Sequence, residues 1–441
     1  MKFHLVSLGC ARNQVDSEVM QGRLKRRGWQ ATQDPEQARV IIVNTCSFIE
    51  SAANESIDTI LALAEQKKTG VCRQLVVVGC LPERYREDIV ATLPEVDCFL
   101  GTGAFDRIEE VVTKAEPMDG CFLPDPDART LEDGHAPRLL TDGHLAYVKI
   151  AEGCNSRCTY CIIPRLRGKH HSRPAMDIVA EAQHLIDGGV RELVLVAQDT
   201  THYGHDLTPE TNLTQLLGEI ADLSDKVWIR FLYGHPEHFD PSLLGIMLRH
   251  ENLCPYFDIP IQHASGQLLK KMGRRYDKND LHRIFSNIRD HLPRAALRTG
   301  VIVGFPGETE ADFEELEAFI EQVQFDHLGV FTYSDSDDLP SHRLPNPVPP
   351  ETARKRMDRL MEIQKNISRN RNQRYQNETL PVLVEQQLEA NLFSARTAFQ
   401  APEVDGLTFV KTRPDGPRIS VGSFVRVKVI DTLEYDLVAE V

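Results

Sequence analysis

Three continuous apolar runs open the chain, HLVSLG (4–9), VIIVNT (40–45) and QLVVVG (74–79), and longer amphipathic stretches follow them at 13–28, 50–67 and 83–93. A strand that is apolar on both faces must be covered on both, and connections long enough for a crossover helix make neighbouring strands parallel. The pattern predicts a doubly wound α/β domain built on a parallel sheet.

Each run is followed at once by a cysteine, Cys10, Cys46 or Cys80. The carboxyl ends of strands in an open parallel sheet converge on one crevice, where ligands bind. Three thiols distant in sequence are thus expected on one rim, a donor set for an iron–sulfur cluster with one iron left open. Cysteine is also a small apolar residue that ends strands well, so the competing reading is packing alone.

A second trio is local. EGCNSRCTYCIIPRLR (152–167) carries Cys154, Cys158 and Cys161 in a C-x3-C-x2-C spacing. A 4Fe-4S cluster takes one thiolate per iron, so three cysteines hold three corners and leave the fourth to a small molecule. Structural zinc would want a fourth Cys or His close by, and His170 and His171 lie beyond Pro164 and a basic turn. Zinc, or three unrelated buried thiols, is the alternative. Cys72, Cys98, Cys121 and Cys254 read as structural thiols.

The C-x3-C-x2-C loop, with Tyr160 before its last cysteine, resembles the radical S-adenosylmethionine superfamily. There the open iron chelates the amino and carboxylate groups of the cofactor. SLGCARNQVDSE (7–18) and NTCSFIESAANES (44–56) resemble the N-terminal domain of the methylthiotransferases, with Arg12 where lysine is common. That resemblance implies an auxiliary 4Fe-4S cluster on Cys10, Cys46 and Cys80, and so two clusters in all.

Residues 117–143, dense in Pro, Gly and Asp, read as a linker. A second α/β series follows, with strands expected at 145–153, 192–197, 226–232, 256–260, 297–305 and 327–333. Helical-period segments separate them at 176–188, 211–223, 240–250, 278–291 and 309–322. Six strands do not complete an eight-stranded barrel, and the resemblance implies a partial (β/α)6 barrel. Chemistry in such barrels is carried at the C-terminal strand ends, which here hold Gln198, Asp199, Tyr233, Gln262, His263 and Glu308. A polar residue there also serves as a cap or turn former, and for Tyr233 and Glu308 that reading stands equal. GVIVG (300–304) resembles the family strand that lies along the adenine, which implies contacts from Gly300, Ile302 and Gly304. The same glycines would equally serve a strand-to-helix turn. Together with Tyr160, Gln198, Asp199 and Gln262 these are the expected S-adenosylmethionine contacts.

After FTYS (331–334) the text DSDDLPSHRLP departs from the small-residue motif usual in the family, and the basic helix expected at 354–376 reads as a packing element between domains. The remaining stretch alternates apolar and polar residues, with turn signals at Asp405-Gly406 and Asp415-Gly416. It predicts a small OB-type β-barrel and resembles the TRAM domain. The expected division is 1–116, linker 117–143, barrel 144–375 and small barrel 376–441.

A net charge of −15 argues against a protein whose main task is gripping phosphate backbones. From 376 to 441 ten acids face six bases, a balance of −4, which suits a basic protein partner better than RNA. Without a run of eighteen apolar residues or a signal-peptide pattern, no membrane span is expected and the cytoplasm is the default. VAQDTTHYG (196–204), DIPIQHAS (258–265) and EYDL (434–437) resemble the branch that modifies an aspartate of the twelfth protein of the small ribosomal subunit. The branch acting on adenosine in transfer RNA is the alternative. The resemblance implies that a radical derived from S-adenosylmethionine abstracts a substrate hydrogen, that auxiliary-cluster sulfur traps the carbon, and that a second S-adenosylmethionine supplies the methyl group. It also implies an electron donor, a sulfur donor and the ribosomal protein, free or on the assembled ribosome, as partners.

Overall fold

The computed structural model describes residues 1–113, 120–128, 137–413 and 416–441. Residues 117–119 and 129–136 of the expected linker, and Asp415 of the expected second turn, lie outside these.

The N-terminal sheet runs β2-β1-β3-β4-β5-β6 and is parallel throughout. Its strands are β1 (Lys2–Ser7), β2 (Gln30–Ala31), β3 (Val40–Thr45), β4 (Gln74–Gly79), β5 (Cys98–Leu100) and β6 (Gly120–Phe122). Every residue of β3 and β4 is buried. Val40, Ile42, Val76 and Val78 pack with Val19, Met20 and Leu24 of helix α1 (Ala11–Arg26), while Ile41, Val43, Leu75 and Val77 face Ala53, Ile60 and Ala64 of the helix Glu50–Ala64. The period of two in the sequence is thus satisfied on both faces.

Two expectations are corrected here. The stretch 117–143 is not all linker, because Gly120–Phe122 pairs with β5 as the sheet's last strand. The helix expected over 83–93 is two short helices, Cys80–Tyr85 and Asp88–Thr92, broken at Arg86 with φ +49. There the Arg86 guanidinium turns back to Glu83 and to the carbonyl of Leu123 on the sheet's far edge.

The central strands are β7 (Leu145–Lys149), the short antiparallel pair β8 (Ala151–Glu152) and β9 (His171–Ser172), β10 (Glu192–Val196), β11 (Trp228–Phe231), β12 (Tyr256–Asp258), β13 (Ala296–Val303) and β14 (His327–Thr332). β11-β10-β7 and β12-β13-β14 form two parallel sheets, joined by the Ile229–Leu253 bridge and by the Gly234 N–H donating to Asp258 O at 2.8 Å. The result is an open six-stranded partial barrel with helices outside. Tyr147, Val194, Val196 and Trp228, on the side away from those helices, pack against Ala11 and Val15 of α1 and against Leu383 and Ala401 of the last domain.

That domain is a closed barrel, β15-β16-β17-β19-β18, built from β15 (Thr379–Glu389), β16 (Leu392–Thr397), β17 (Thr408–Lys411), β18 (Phe424–Thr432) and β19 (Leu437–Glu440). The basic helix spans Pro350–Asn372, and two of its cations face inward partners: Arg356 meets Glu308, and Arg371 meets Asp326. Among the described residues no helix is long and apolar enough to cross a membrane.

Candidate metal centre

The first trio sits on three loops laced together by side chains. Cys10 caps α1, Cys46 follows β3 and Cys80 opens a helix after β4. Asn13 donates from Nδ2 to Leu8 O and Thr45 O, both at 2.9 Å, while Asn44 Nδ2 donates to Asn13 O at 2.8 Å. Ser47 Oγ donates to Cys80 O at 2.9 Å, closing the third loop onto the second. Gly9, at φ +94, is required: a Cβ there would lie 2.7 Å from Cys46 Cβ. Burial pushes the thiols of Cys80, to about 11, and Cys46 up. For Cys10 burial is outweighed by the guanidinium groups of Arg12 and Arg167, and its pKa falls below the ordinary value.

The second trio lies at the C-terminal end of the partial barrel. Cys154 N–H donates to Gly168 O at 3.0 Å, Thr159 N–H to Met272 O at 3.0 Å, and Cys161 N–H to Cys158 O at 3.2 Å. Burial pushes the Cys161 thiol up to about 12.

Arg167, six residues past Cys161, joins the trios. Its Nη2 donates to Asn13 Oδ1 and lies 3.7 Å from Cys80 Sγ, while Nη1 reaches Asp16 at 3.2 Å and Glu152 at 3.3 Å. Lys149 completes this buried group through Asp16 and, at 2.8 Å, Glu152. Ile162 and Leu166 pack with Cys80 and Leu339. The divergent segment after FTYS closes the same side: Asp338 takes Arg84 in a two-pronged pair at 3.0 and 2.8 Å, tying it to the helix that Cys80 begins. These residues were not found from the sequence. The one signal was Asn13, Asp16 and Ser17, a polar i, i+3, i+4 stripe on a helix whose opposite face is apolar.

Of the other expected contacts, Tyr160 is held by Arg274, whose Nη2 donates to its hydroxyl at 2.6 Å, and it packs beside Ile302. Gln198 Nε2 donates to Glu152 Oε1 at 2.6 Å, leaving the Gln198 Oε1 buried without a hydrogen-bond partner among the described residues. Asp199 accepts from His238 at 2.6 Å and from Thr201 at 2.7 Å; burial would raise its pKa, but these bonds hold it down at about 2. Asp199, His235 and His238 approach within 4.8 Å of one another. Yet His235 Nδ1 accepts from Glu237 N–H and its Nε2 abuts Arg274, so both ring nitrogens are engaged. Gln262, at φ +66, bridges Gly300 O and Ile302 N. Gly300 has only ordinary contacts around its missing Cβ, whereas a Cβ at Gly304 would lie 2.4 Å from Ala353. Gly304 therefore serves the turn against the long helix, and Glu308 accepts its N–H. His263 and Glu308 pair in the core.

Each trio offers three thiolates, one short of the four ligands that a structural zinc takes, whereas a 4Fe-4S cluster takes one thiolate per iron and can leave one iron open. The Gln198 oxygen, unpartnered among the described residues, belongs to a side chain held by Glu152, two residues before Cys154, and is an acceptor that an ammonium group could use.

Comparison with known proteins agrees with this geometry. Residues 2–101 match Uncharacterized protein family UPF0004, 148–320 the Radical SAM superfamily and 378–441 the TRAM domain. The tryptophan-binding radical S-adenosylmethionine methyltransferase TsrM of Kitasatospora setae shares the fold, with a TM-score of 0.55 at 14% identity over 77% of this chain and 75% of that one. The class is therefore a radical S-adenosylmethionine protein, for which the cofactor and a 4Fe-4S cluster are implied. The proteins named ribosomal protein uS12 methylthiotransferase RimO from Desulfosudis oleivorans and Clostridioides difficile are 51% and 45% identical to it, over 100% of this chain and 100% and 99% of theirs. The chain belongs to this family of radical S-adenosylmethionine methylthiotransferases.

Proposed function

We propose that this protein places a methylthio group on the β-carbon of an aspartate in ribosomal protein uS12. In this reading Cys154, Cys158 and Cys161 hold the cluster that binds S-adenosylmethionine, and Cys10, Cys46 and Cys80 hold a second, auxiliary 4Fe-4S cluster. The observation that carries it is Arg167, which hydrogen-bonds Asn13 and lies 3.7 Å from Cys80 of the first trio while reaching Glu152, two residues before Cys154 of the second. When bound, these groups supply the one-electron chemistry that an unactivated C–H bond demands and no side-chain base can provide.

The chain's own residues hold and orient. Gln198 Oε1 would accept from the cofactor's ammonium group. Tyr160 and Ile302 would give the cofactor an apolar wall, beside the Gly300–Gln262 backbone pairing where no side chain projects from Gly300. Asp199 stays ionised and orients the strand end through His238, while Gly304 contributes the turn. The functional segments are the N-terminal sheet, which runs on to β6 at Gly120–Phe122, the partial barrel of 144–375 and the small barrel of 376–441. The acidic last segment favours a basic protein over transfer RNA, and the relatives named above bear the ribosomal name. An electron donor, a sulfur donor and a cytoplasmic setting complete the reading.

The test is anaerobic incubation of the iron- and sulfide-loaded protein with S-adenosylmethionine, a reductant and either uS12 or transfer RNA, read by peptide and nucleoside mass spectrometry. A methylthio adduct on one aspartate supports the reading, and modified transfer-RNA nucleosides with unmodified uS12 would overturn it.

A further inference from the structure

Three guanidinium groups bear on the cysteines of the two trios, and two of them are fully committed. Arg167 is spent on Asn13, Asp16, Glu152 and Cys80, and Arg274 on Tyr160 and His235. Arg12 is different. It stands two residues past Cys10 and crosses from the N-terminal domain to the partial barrel, where Nη1 donates to Ala197 O at 2.6 Å beyond the end of β10. Its guanidinium carbon lies 4.8 Å over the ring of Tyr233, itself held at φ +64 just past β11. The carbonyl and the ring fix the group's position. Nε and Nη2 have no acceptor among the described residues, and neither is sealed from solvent. A half-buried, pre-oriented guanidinium with donors to spare is a carboxylate receptor, because its fork matches the two oxygens.

We infer that Arg12 binds the side-chain carboxylate of the substrate aspartate, presenting the adjacent β-carbon to the space between the two cysteine trios. The inference rests on the function proposed above and names the residue that selects the amino acid within that substrate. An asparagine of the same shape would bring an N–H2 group against the donors of Arg12, and a site built on hydrogen bonds rejects such a misfit strongly.

The test compares wild-type protein with Arg12→Gln and Arg12→Lys, each loaded to equal iron content, on uS12 and on uS12 with the target aspartate replaced by asparagine. Binding of fluorescently labelled uS12 and kcat/KM are both read. Expected for the wild type is a preference for aspartate of about 100-fold or more, collapsing to within about tenfold in Arg12→Gln and falling to an intermediate value in Arg12→Lys, which keeps the charge but not the fork. A role confined to the fold or to the charge of Cys10 would lower both substrates equally and leave the ratio unmoved. An Arg12→Gln protein that keeps the wild-type ratio overturns the inference, as does a wild type indifferent to the exchange. Failure of the wild type to modify uS12 at all overturns instead the proposed function on which it rests.

Discussion

Arg396 Nη2 donates to Glu192 Oε2 at 2.5 Å, and neither side chain reaches solvent. Glu192 begins β10 of the partial barrel and Arg396 lies in β16 of the small barrel, so the bond crosses the domain boundary. Arg230 Nε takes the other carboxylate oxygen at 2.9 Å. Removing one member of a buried ionic group leaves an uncompensated charge, at a cost of about 3–5 kcal/mol. Glu192→Gln is expected to loosen the small barrel by that order, measured by denaturant titration combined with limited proteolysis. A loss below about 1 kcal/mol would contradict the assignment.

The same carboxylate sets an acid response. Burial alone would raise its pKa, but Arg396 and Arg230 hold it below the ordinary value. A depressed carboxylate contributes stability that is present above its unfolded pKa, about 4.3, and lost as pH falls through the folded value. Trp228 packs edge-on against Phe424 of the small barrel at 4.8 Å and reports on the contact. Its fluorescence is expected to change in a step below about pH 4 in the native chain, and that step is expected to vanish in Glu192→Gln.

Gly153, at φ +76, precedes the C-x3-C-x2-C loop, and a Cβ there would lie 1.9 Å from the Lys169 carbonyl oxygen. Gly153→Ala must move backbone on both sides of Cys154. Iron bound per chain after anaerobic loading is expected to fall by about half relative to the native protein, since one of two cubane sites is lost.

Cys158→Ala is expected to abolish 5'-deoxyadenosine formation, whereas Cys46→Ala is expected to keep part of that activity and lose methylthiolation. Both are read by chromatography and mass spectrometry of the products. Methylthiolated uS12 from both variants would sink the division of labour between the trios.

The strands were legible because a run such as VIIVNT has one way to satisfy burial on both faces, and β3 matches it residue for residue. β6 was not: three residues, GCF, amid Pro and Asp carry no periodicity, and their pairing depends on β5 alone. The cysteines were legible from spacing and from their place after strands. Arg167, Lys149 and Asp16 were not, because a charged residue that will be buried looks in sequence like one that will be solvated. Only its partner tells them apart, and Asp16 and Lys149 stand 133 residues apart. Gly300 and Gly304 share one motif, yet only the fold shows that Gly304 packs tightly against Ala353 while a Cβ at Gly300 would meet only ordinary contacts.

That separation bears on how the molecule is made. Helix α1 leaves the ribosome carrying Asp16 and Glu18 with their counter-charges unsynthesised, for Arg138 comes 120 residues after Glu18 and Arg167 comes 151 after Asp16. At translation rates of about 5–20 residues per second the nascent domain waits about 6 to 30 seconds with those acids still hydrated. The gap between the trios therefore closes only after elongation has passed Arg167, and metal delivered to a nascent chain before then meets a half-built receptacle.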